Sequence, residues 1–249
     1  MRKSFTESLK MKLQRQEFKY FISNKEIFLL RNSLNKIMLL DKNANKDKLY
    51  YTVSSLYFET PYCDHFNEKV EGIVSREKFR IRKYSGSNIV KFESKKKIEN
   101  VIEKSSSIID KKNAQNLIKG NFNNLNDDRS NFLKDAFVKL KLNSLRAKNI
   151  VEYDREAYYL PYGNIRITFD MNLRTYNSDV NFLDIKNSSI PIFYDKFNIL
   201  EVKSSLPLPE HLKSILKDVI AIRSAISKFV FGQKYINFSK WQDKIQEPF

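Results

Sequence analysis

The sequence predicts an α+β fold in which antiparallel strands, about eight of them, close into a barrel with helices packed outside. Three observations lead there. Strand-like segments recur with basic residues at alternate positions, as in "REKFRIRKY" (76–84), where Lys78, Arg80 and Arg82 alternate with Phe79 and Ile81. Turn signals such as "SGSN" (85–88) and "LPYGN" (160–164) separate neighbouring strands. Between strands lie segments with helical spacing of apolar residues, which can cover the outside of a curled sheet.

The elements follow in order. "LQRQEFKYFI" (13–22) sets Arg15, Glu17 and Lys19 against Gln16, Phe18 and Tyr20, a strand. Ser23, three residues before Glu26, makes a capping box, and Ile27, Leu30, Leu34, Ile37 and Met38 follow at helical spacing. That helix has about four turns. "LYYTVSSLYFET" (49–60) is aromatic and β-branched, as strands prefer; Pro61 ends it and a short helix runs to Gly72.

Strands at 74–84 and 88–97 form a hairpin. Segments 106–119 (Ile109, Leu117, Ile118) and 128–142 (Phe132, Leu133, Ala136, Phe137, Leu140) read as helices. Strands resume at 148–160 and 163–172, short strands occupy 173–196, and "FNILEVKSS" (197–205) is another strand. Pro207 and Pro209 then open a helix with Leu212, Ile215, Leu216, Val219 and Ile220 on one face. With no low-complexity linker and no repeat, 13–249 reads as one domain behind a flexible basic N-terminus, 1–12.

Composition narrows the chemistry. A formal net charge of +16 points to a polyanionic partner. The single cysteine, Cys63, excludes an internal disulfide and a multi-thiolate zinc site. His65 and His211 make no metal triad, and the five glycines form no phosphate loop. Phosphates would have to be held by side chains. No apolar run suits a signal peptide or a membrane span, so the chain reads as cytoplasmic, with docking to a membrane-protein partner left open.

The opening pattern repeats. Lys91, Glu93, Lys95 and Lys97 oppose Val90 and Phe92; Arg166, Thr168 and Asp170 oppose Ile165, Ile167 and Phe169; Glu201 and Lys203 oppose Leu200 and Val202. Arg155 shares a face with Val151 and Tyr153. Any one such strand is an ordinary half-solvated strand. Together they place the charged faces on the inside of a barrel. Two cations about 8 Å apart repel by roughly 2 kcal/mol at a dielectric near 20, against a total stability of about 5–15 kcal/mol. Such an interior needs carboxylates or bound anions, and Glu17, Glu93, Asp170 and Glu201 can supply the first.

"RQEFKY", "LYFET", "REKFRIRKY", "FESKKK", "YDREAYY", "RITFDMNLR", "ILEVK" and "SKF" occur in an order that resembles VTC domains. These are the polyphosphate polymerase domains of the vacuolar transporter chaperone, within the CYTH or triphosphate tunnel metalloenzyme superfamily. Arg15, Glu17 and Lys19 stand where tunnel triphosphatases resemble ExExK, which is nearer the VTC form. The resemblance implies a stand-alone, bacterial-type member with a basic tunnel.

It further implies that Lys19, Arg80, Arg82, Lys95, Arg155 and Arg166 grip phosphoryl oxygens, helped by Lys203 and by Ser227 and Lys228 near the tunnel mouth. Glu201 is the implied metal ligand, with Glu17 second, for Mn²⁺ or Mg²⁺. Plainer roles compete: Glu17 neutralises Arg80 or Arg82, Asp170 fixes Arg166, and Lys78, Lys91 and Lys97 lie beyond the tunnel ends.

The implied reaction is transfer of the ATP γ-phosphate to polyphosphate or pyrophosphate. A triphosphate or polyphosphate hydrolase and a non-catalytic polyphosphate-binding module are the alternatives. Nucleic acid is not the expected partner, because most strand aromatics fall opposite the cations, as core residues do.

Overall fold

The computed structural model describes residues 16–45, 47–99, 101–122, 130–176, 180–186, 188–193, 196–217 and 224–245. The expected flexible N-terminus (1–12), Arg15, and the helix positions Val219 and Ile220 lie outside the described residues.

The chain opens with β1 (Gln16–Ile22) and α1 (Asn24–Leu34). The capping box forms as expected: Ser23 N–H donates to Glu26 Oε2 at 2.6 Å, and Glu26 N–H donates back to Ser23 Oγ at 3.3 Å. The helix stops at Leu34, shorter than its apolar spacing suggests. Ile37 and Met38 continue the apolar stripe from a turn and still pack against the same core. A two-residue strand, β2 (Leu39–Leu40), then leads to β3 (Tyr51–Glu59), α2 (Asp64–Val70) and the hairpin β4 (Arg76–Tyr84) and β5 (Val90–Ile98).

The next segment differs from expectation. Residues read as the start of a helix at 106 belong to β6 (Val101–Ile109), and α3 (Lys111–Ile118) begins only after Asp110 caps it through Asn113 N–H (2.6 Å). The serines at 105–107 break any apolar alternation, so the strand is set by its partner: β6 pairs with β5 along its whole length, from Val90↔Ile109 to Ile98↔Val101. After α4 (Asn131–Leu142) come the long strands β7 (Arg146–Leu160) and β8 (Ile165–Tyr176), short β9 (Ile190–Pro191), and β10 (Asn198–Ser204). Two helices end the chain, α5 (Glu210–Lys217) and α6 (Lys228–Ile245).

All main strands pair antiparallel in the order β1-β10-β8-β7-β3-β4-β5-β6. The sheet curls strongly. Lys95 Nζ on β5 comes within 3.5 Å of Glu17 Oε2 on β1, so opposite ends of the sheet face each other. Among the described residues no backbone ladder joins β1 to β6. Strand β1 meets β5, next to the far edge, through side chains.

Among the described residues, buried apolar side chains form three clusters. On the outer face, α3 and α4 cover Leu56, Phe79, Ile81, Phe92 and Ile150, while α1 and α5 cover Tyr158, Ile167, Phe169, Leu200 and Val202. The third cluster lies on the inner face, where Phe229 at the start of α6 packs with Tyr51, Val53, Tyr57, Val151, Tyr153 and Ile199. Helix α6 therefore occupies one end of the inside, held by Asn149 Nδ2–H donating to the Phe229 carbonyl (3.0 Å). A β-carbon at Gly232 would sit 2.6 Å from Val151 Cγ2, which makes that approach dependent on glycine.

Candidate active site

Alternation decides which side chains enter the inside of the sheet. On β10, Leu200 and Val202 pack outward, so Ile199, Glu201 and Lys203 point in; on β1 the same rule turns Glu17 and Lys19 inward. Register then brings them together: Lys19 lies opposite Glu201, and Glu17 opposite Lys203.

Glu201 is the centre of this face. Its carboxylate accepts from Lys228 Nζ and Lys203 Nζ, both at 2.7 Å, with Arg155 at 3.4 Å and Lys19 at 3.5 Å. Beside it, buried Asp170 takes both arms of Arg155, at 2.6 and 2.7 Å, and Lys228 at 2.5 Å. Burial alone would raise both carboxyl pKa values. For Glu201 the cations of Lys228, Lys19, Lys203 and Arg155 outweigh burial and hold it well below the usual range, and Arg155 and Lys228 lower Asp170 likewise. Lys228, expected near the mouth, is instead buried, with its amine 4.9 Å from the Tyr153 ring. It enters from α6, whose first turn begins with Phe231 N–H donating to the Ser227 carbonyl (3.1 Å).

A second centre forms on β4 and β5. Glu93 receives Arg80 Nε at 2.8 Å and Nη2 at 2.6 Å, and Lys104 of β6 at 2.9 Å. Burial opposes ionisation here too, but Arg80, Arg82 and Lys104 bring the Glu93 pKa down to about 2. Arg82 is buried and stands 4.0 Å from Glu93; its Nε donates to Ser55 Oγ at 3.0 Å. Arg80 Nη1 donates to Tyr57 Oη at 3.3 Å.

Glu17 spans the gap between the sheet ends. Lys19 (3.3 Å), Lys95 (3.5 Å) and Lys203 (3.8 Å) surround it at longer range. Burial would raise its pKa, but Lys19, Lys203 and Lys95 bring it down to about 2.

Several expected pairings are replaced. Glu17 neutralises lysines, and Glu93 takes Arg80. Asp170 fixes Arg155 and Lys228, whereas Arg166 pairs with Asp41 (2.6 Å) and Tyr51 Oη (3.0 Å). The reason is register: Arg155 lies opposite Asp170 in the β7–β8 ladder, while Arg166 lies opposite Tyr159. Lys78 does not extend into solvent: its amine is buried 4.0 Å from the Phe229 ring, without a hydrogen-bond partner. Aromatics are not confined to the outer face either, since Tyr51, Tyr57 and Tyr153 sit among the cations.

Asp41, Tyr51, Ser55, Tyr57 and Lys104 join the site without having been singled out by sequence. Tyr51, Ser55 and Tyr57 alternate inward along "YYTVSSLYFE", a signal open to view. Asp41 sits in a turn, where no periodicity points.

The fold is an antiparallel sheet curled around charged side chains, with α1, α3, α4 and α5 outside and α6 at one end of the inside. Two solved structures share it: a Bacillus halodurans protein described as a candidate adenylate cyclase and a Hippeastrum protein described as a candidate adenylyl cyclase with a dominant triphosphatase activity. The first has a TM-score of 0.50 at 13% identity, covering 86% of this chain and 95% of that one. The second has a TM-score of 0.51 at 14% identity, covering 88% and 94%. At such identities the likeness concerns the fold alone. The model of the VTC domain matches residues 14–237, and the chain belongs to that family. No curated protein matches it in sequence. Among the described residues, no helix is long and apolar enough to cross a membrane.

Proposed function

We propose that this chain is a phosphotransferase that lengthens polyphosphate, moving the γ-phosphoryl group of ATP onto a polyphosphate or pyrophosphate acceptor. The observation that supports it most is the convergence of Arg and Lys from β1, β4, β5, β7, β10 and α6 on one concave face of a VTC-family fold.

Phosphoryl transfer needs alignment and neutralisation of charge on the equatorial oxygens, and no protein nucleophile. Arg80, Arg82 and Arg155 offer guanidinium donors to phosphate oxygens, each oriented by a fixed partner: Glu93, Ser55 and Asp170; the carboxylates already occupy two arms each of Arg80 and Arg155, which leaves Arg82 the freest fork. Lys19 and Lys95 act as point charges that can turn from Glu17 to an arriving phosphate, while Lys203, bound to Glu201 at 2.7 Å, links the two carboxylates. Lys228 holds Glu201 in place, and Arg166 guards the Asp41 side.

Among the described residues no group of three or more ligating side chains forms a metal cage. Glu201 and Glu17 nevertheless offer hard oxygen donors, and Mg²⁺ or Mn²⁺ commonly takes one or two carboxylates and completes its shell with phosphate and water. The residues fit a cation shared with substrate. When bound, it would neutralise charge on the phosphate chain.

A triphosphatase is the second reading, favoured by α6. Phe229 and its apolar neighbours fill one end of the inner face, which leaves a long product fewer ways out. The same burial of Tyr57 and Tyr153 removes the stacking platforms a single-stranded nucleic acid would need.

The deciding experiment incubates purified protein with ATP and Mn²⁺, with and without pyrophosphate, and follows products by gel and free-phosphate assay beside Glu201→Ala. Chain lengthening lost in the variant supports the polymerase. Phosphate release without lengthening replaces it with the hydrolase, and tight polyphosphate binding without turnover replaces both with a binding module.

A further inference from the structure

The outer face of the sheet carries a polar cleft that the proposed reaction leaves unused. Thr52, Ser54, Lys83, Glu152 and Arg174 point outward there, each next in sequence to a residue that points in. The β4–β5 hairpin, the start of α3 and residues 183–186 complete the walls. The volume is about 500 Å³, within the range that holds a small organic ligand.

The floor is a fixed network. Buried Glu152 accepts from Ser54 Oγ, from Tyr176 Oη at 2.7 Å and from Arg174 Nε at 2.9 Å. Asp154 holds Arg174 again at 3.3 Å. These groups are satisfied among themselves.

Two of the wall lysines have no ion pair among the described residues. Lys83 is half-buried, and burial lowers its pKa, the charges of Glu152 and Asp184 only partly opposing. Its amine donates to the Leu183 carbonyl at a long 3.4 Å and lies 5.3 Å from the Phe182 ring. Among the described residues neither Lys83 nor Lys111, the first residue of α3, has an ion-pair partner; Lys186 has Asp184 at 2.8 Å. With no carboxylate in ion-pair contact, half-buried Lys83 and exposed Lys111 can each take an anion. Ser85, Ser87 and Asn88 line the same cleft and add donors for several acceptor oxygens, while Val90, Leu183 and Ile185 offer an organic body a place to pack.

We propose that this cleft is a second anion site, separate from the inner face, which binds a small phosphate-bearing molecule through Lys83 and Lys111. The phosphate can belong to an organic monoester or be free inorganic phosphate. The site rests on outer-face geometry and is independent of which reaction the inner face performs.

The test is an amide NMR titration of the full chain, with tripolyphosphate added first to occupy the inner face. AMP and inorganic phosphate are titrated separately into wild type, Lys83→Met and Lys111→Gln, the spectra also reporting whether each variant is folded. Saturable shifts at Ser85, Ser87, Asn88 and Lys111 are expected, with affinity falling about tenfold or more per lysine lost, as for one charge-assisted hydrogen bond. Tighter binding of AMP assigns the organic monoester; equal binding assigns free phosphate. Shifts that rise linearly without saturation, that appear elsewhere, or that persist unchanged in both folded variants overturn the site.

Discussion

Two parts of the inner face treat the same chemistry differently. Around Asp170 and Glu201, contacts are short, bidentate and buried: Arg155 and Lys228 lie at 2.5 to 2.7 Å from carboxylate oxygens. Around Glu17, lysines stand at 3.3 to 3.8 Å, and the Lys95 side chain is 46% exposed. The first region is held in one arrangement by low dielectric and mutual need. The second is looser, and its most exposed cation, Lys95, can exchange a carboxylate for a phosphate at little cost. The difference divides frame from grip.

The frame should break hardest. Asp170→Asn leaves Arg155 and Lys228 buried with only Glu201 between them, and removing one partner of such a pair costs about 3–5 kcal/mol. Urea unfolding of variant and wild type measures this. A loss below about 1 kcal/mol would mean that the centre is not a structural frame.

Next comes Arg82, buried yet 4.0 Å from its nearest carboxylate partner, and so the arginine with most to offer a substrate. Removing one preorganised donor costs about 2.7–4 kcal/mol of transition-state stabilisation. Arg82→Lys keeps the charge but loses the fork, and its turnover of ATP should fall by about two orders of magnitude. Equal turnover would reassign Arg82 to the Ser55 hydrogen bond alone.

Lys78 tests whether the end filled by α6 is dry. Burial pulls its pKa from 10.5 to about 7, Glu59 only partly opposing. Between those values the unfolded chain binds a proton that the folded chain lacks, so stability should rise with pH from about 7 to 10.5, by at most about 1.4 kcal/mol per pH unit. Lys78→Met should flatten that rise and leave the protein more stable at pH 7. An unchanged slope in denaturant midpoints across this window would show that the amine reaches water.

Much of this comparison was legible in the sequence. The alternation in "REKFRIRKY" and "ILEVK" already separated the charged face from the packed one, and the Ser23–Glu26 cap marked α1. Pairing was not legible. That Arg155 meets Asp170 and Arg166 meets Asp41 depends on register and on where a turn places Asp41, which no single strand encodes. The strand β6 stayed hidden because its serines carry no alternation, and its identity comes from β5. Nothing in the sequence marks α6 as a helix that turns inward and carries Lys228 to Glu201.

The smallest expected effect concerns the grip. Lys95 joins β5 to Glu17 across the gap between the sheet ends, at 3.5 Å and with nearly half its side chain in water. Exposed pairs of this kind contribute about 0–1 kcal/mol, less in high salt. Lys95→Ala should therefore scarcely move the unfolding midpoint while weakening tripolyphosphate binding, with a shallower dependence of affinity on salt than wild type. Calorimetric titration at two salt concentrations separates the outcomes. If stability drops by several kcal/mol, Lys95 is part of the frame and the ends of the sheet depend on it. If neither stability nor affinity changes, the gap is open water, and the grip lies deeper, with Arg80 and Arg82.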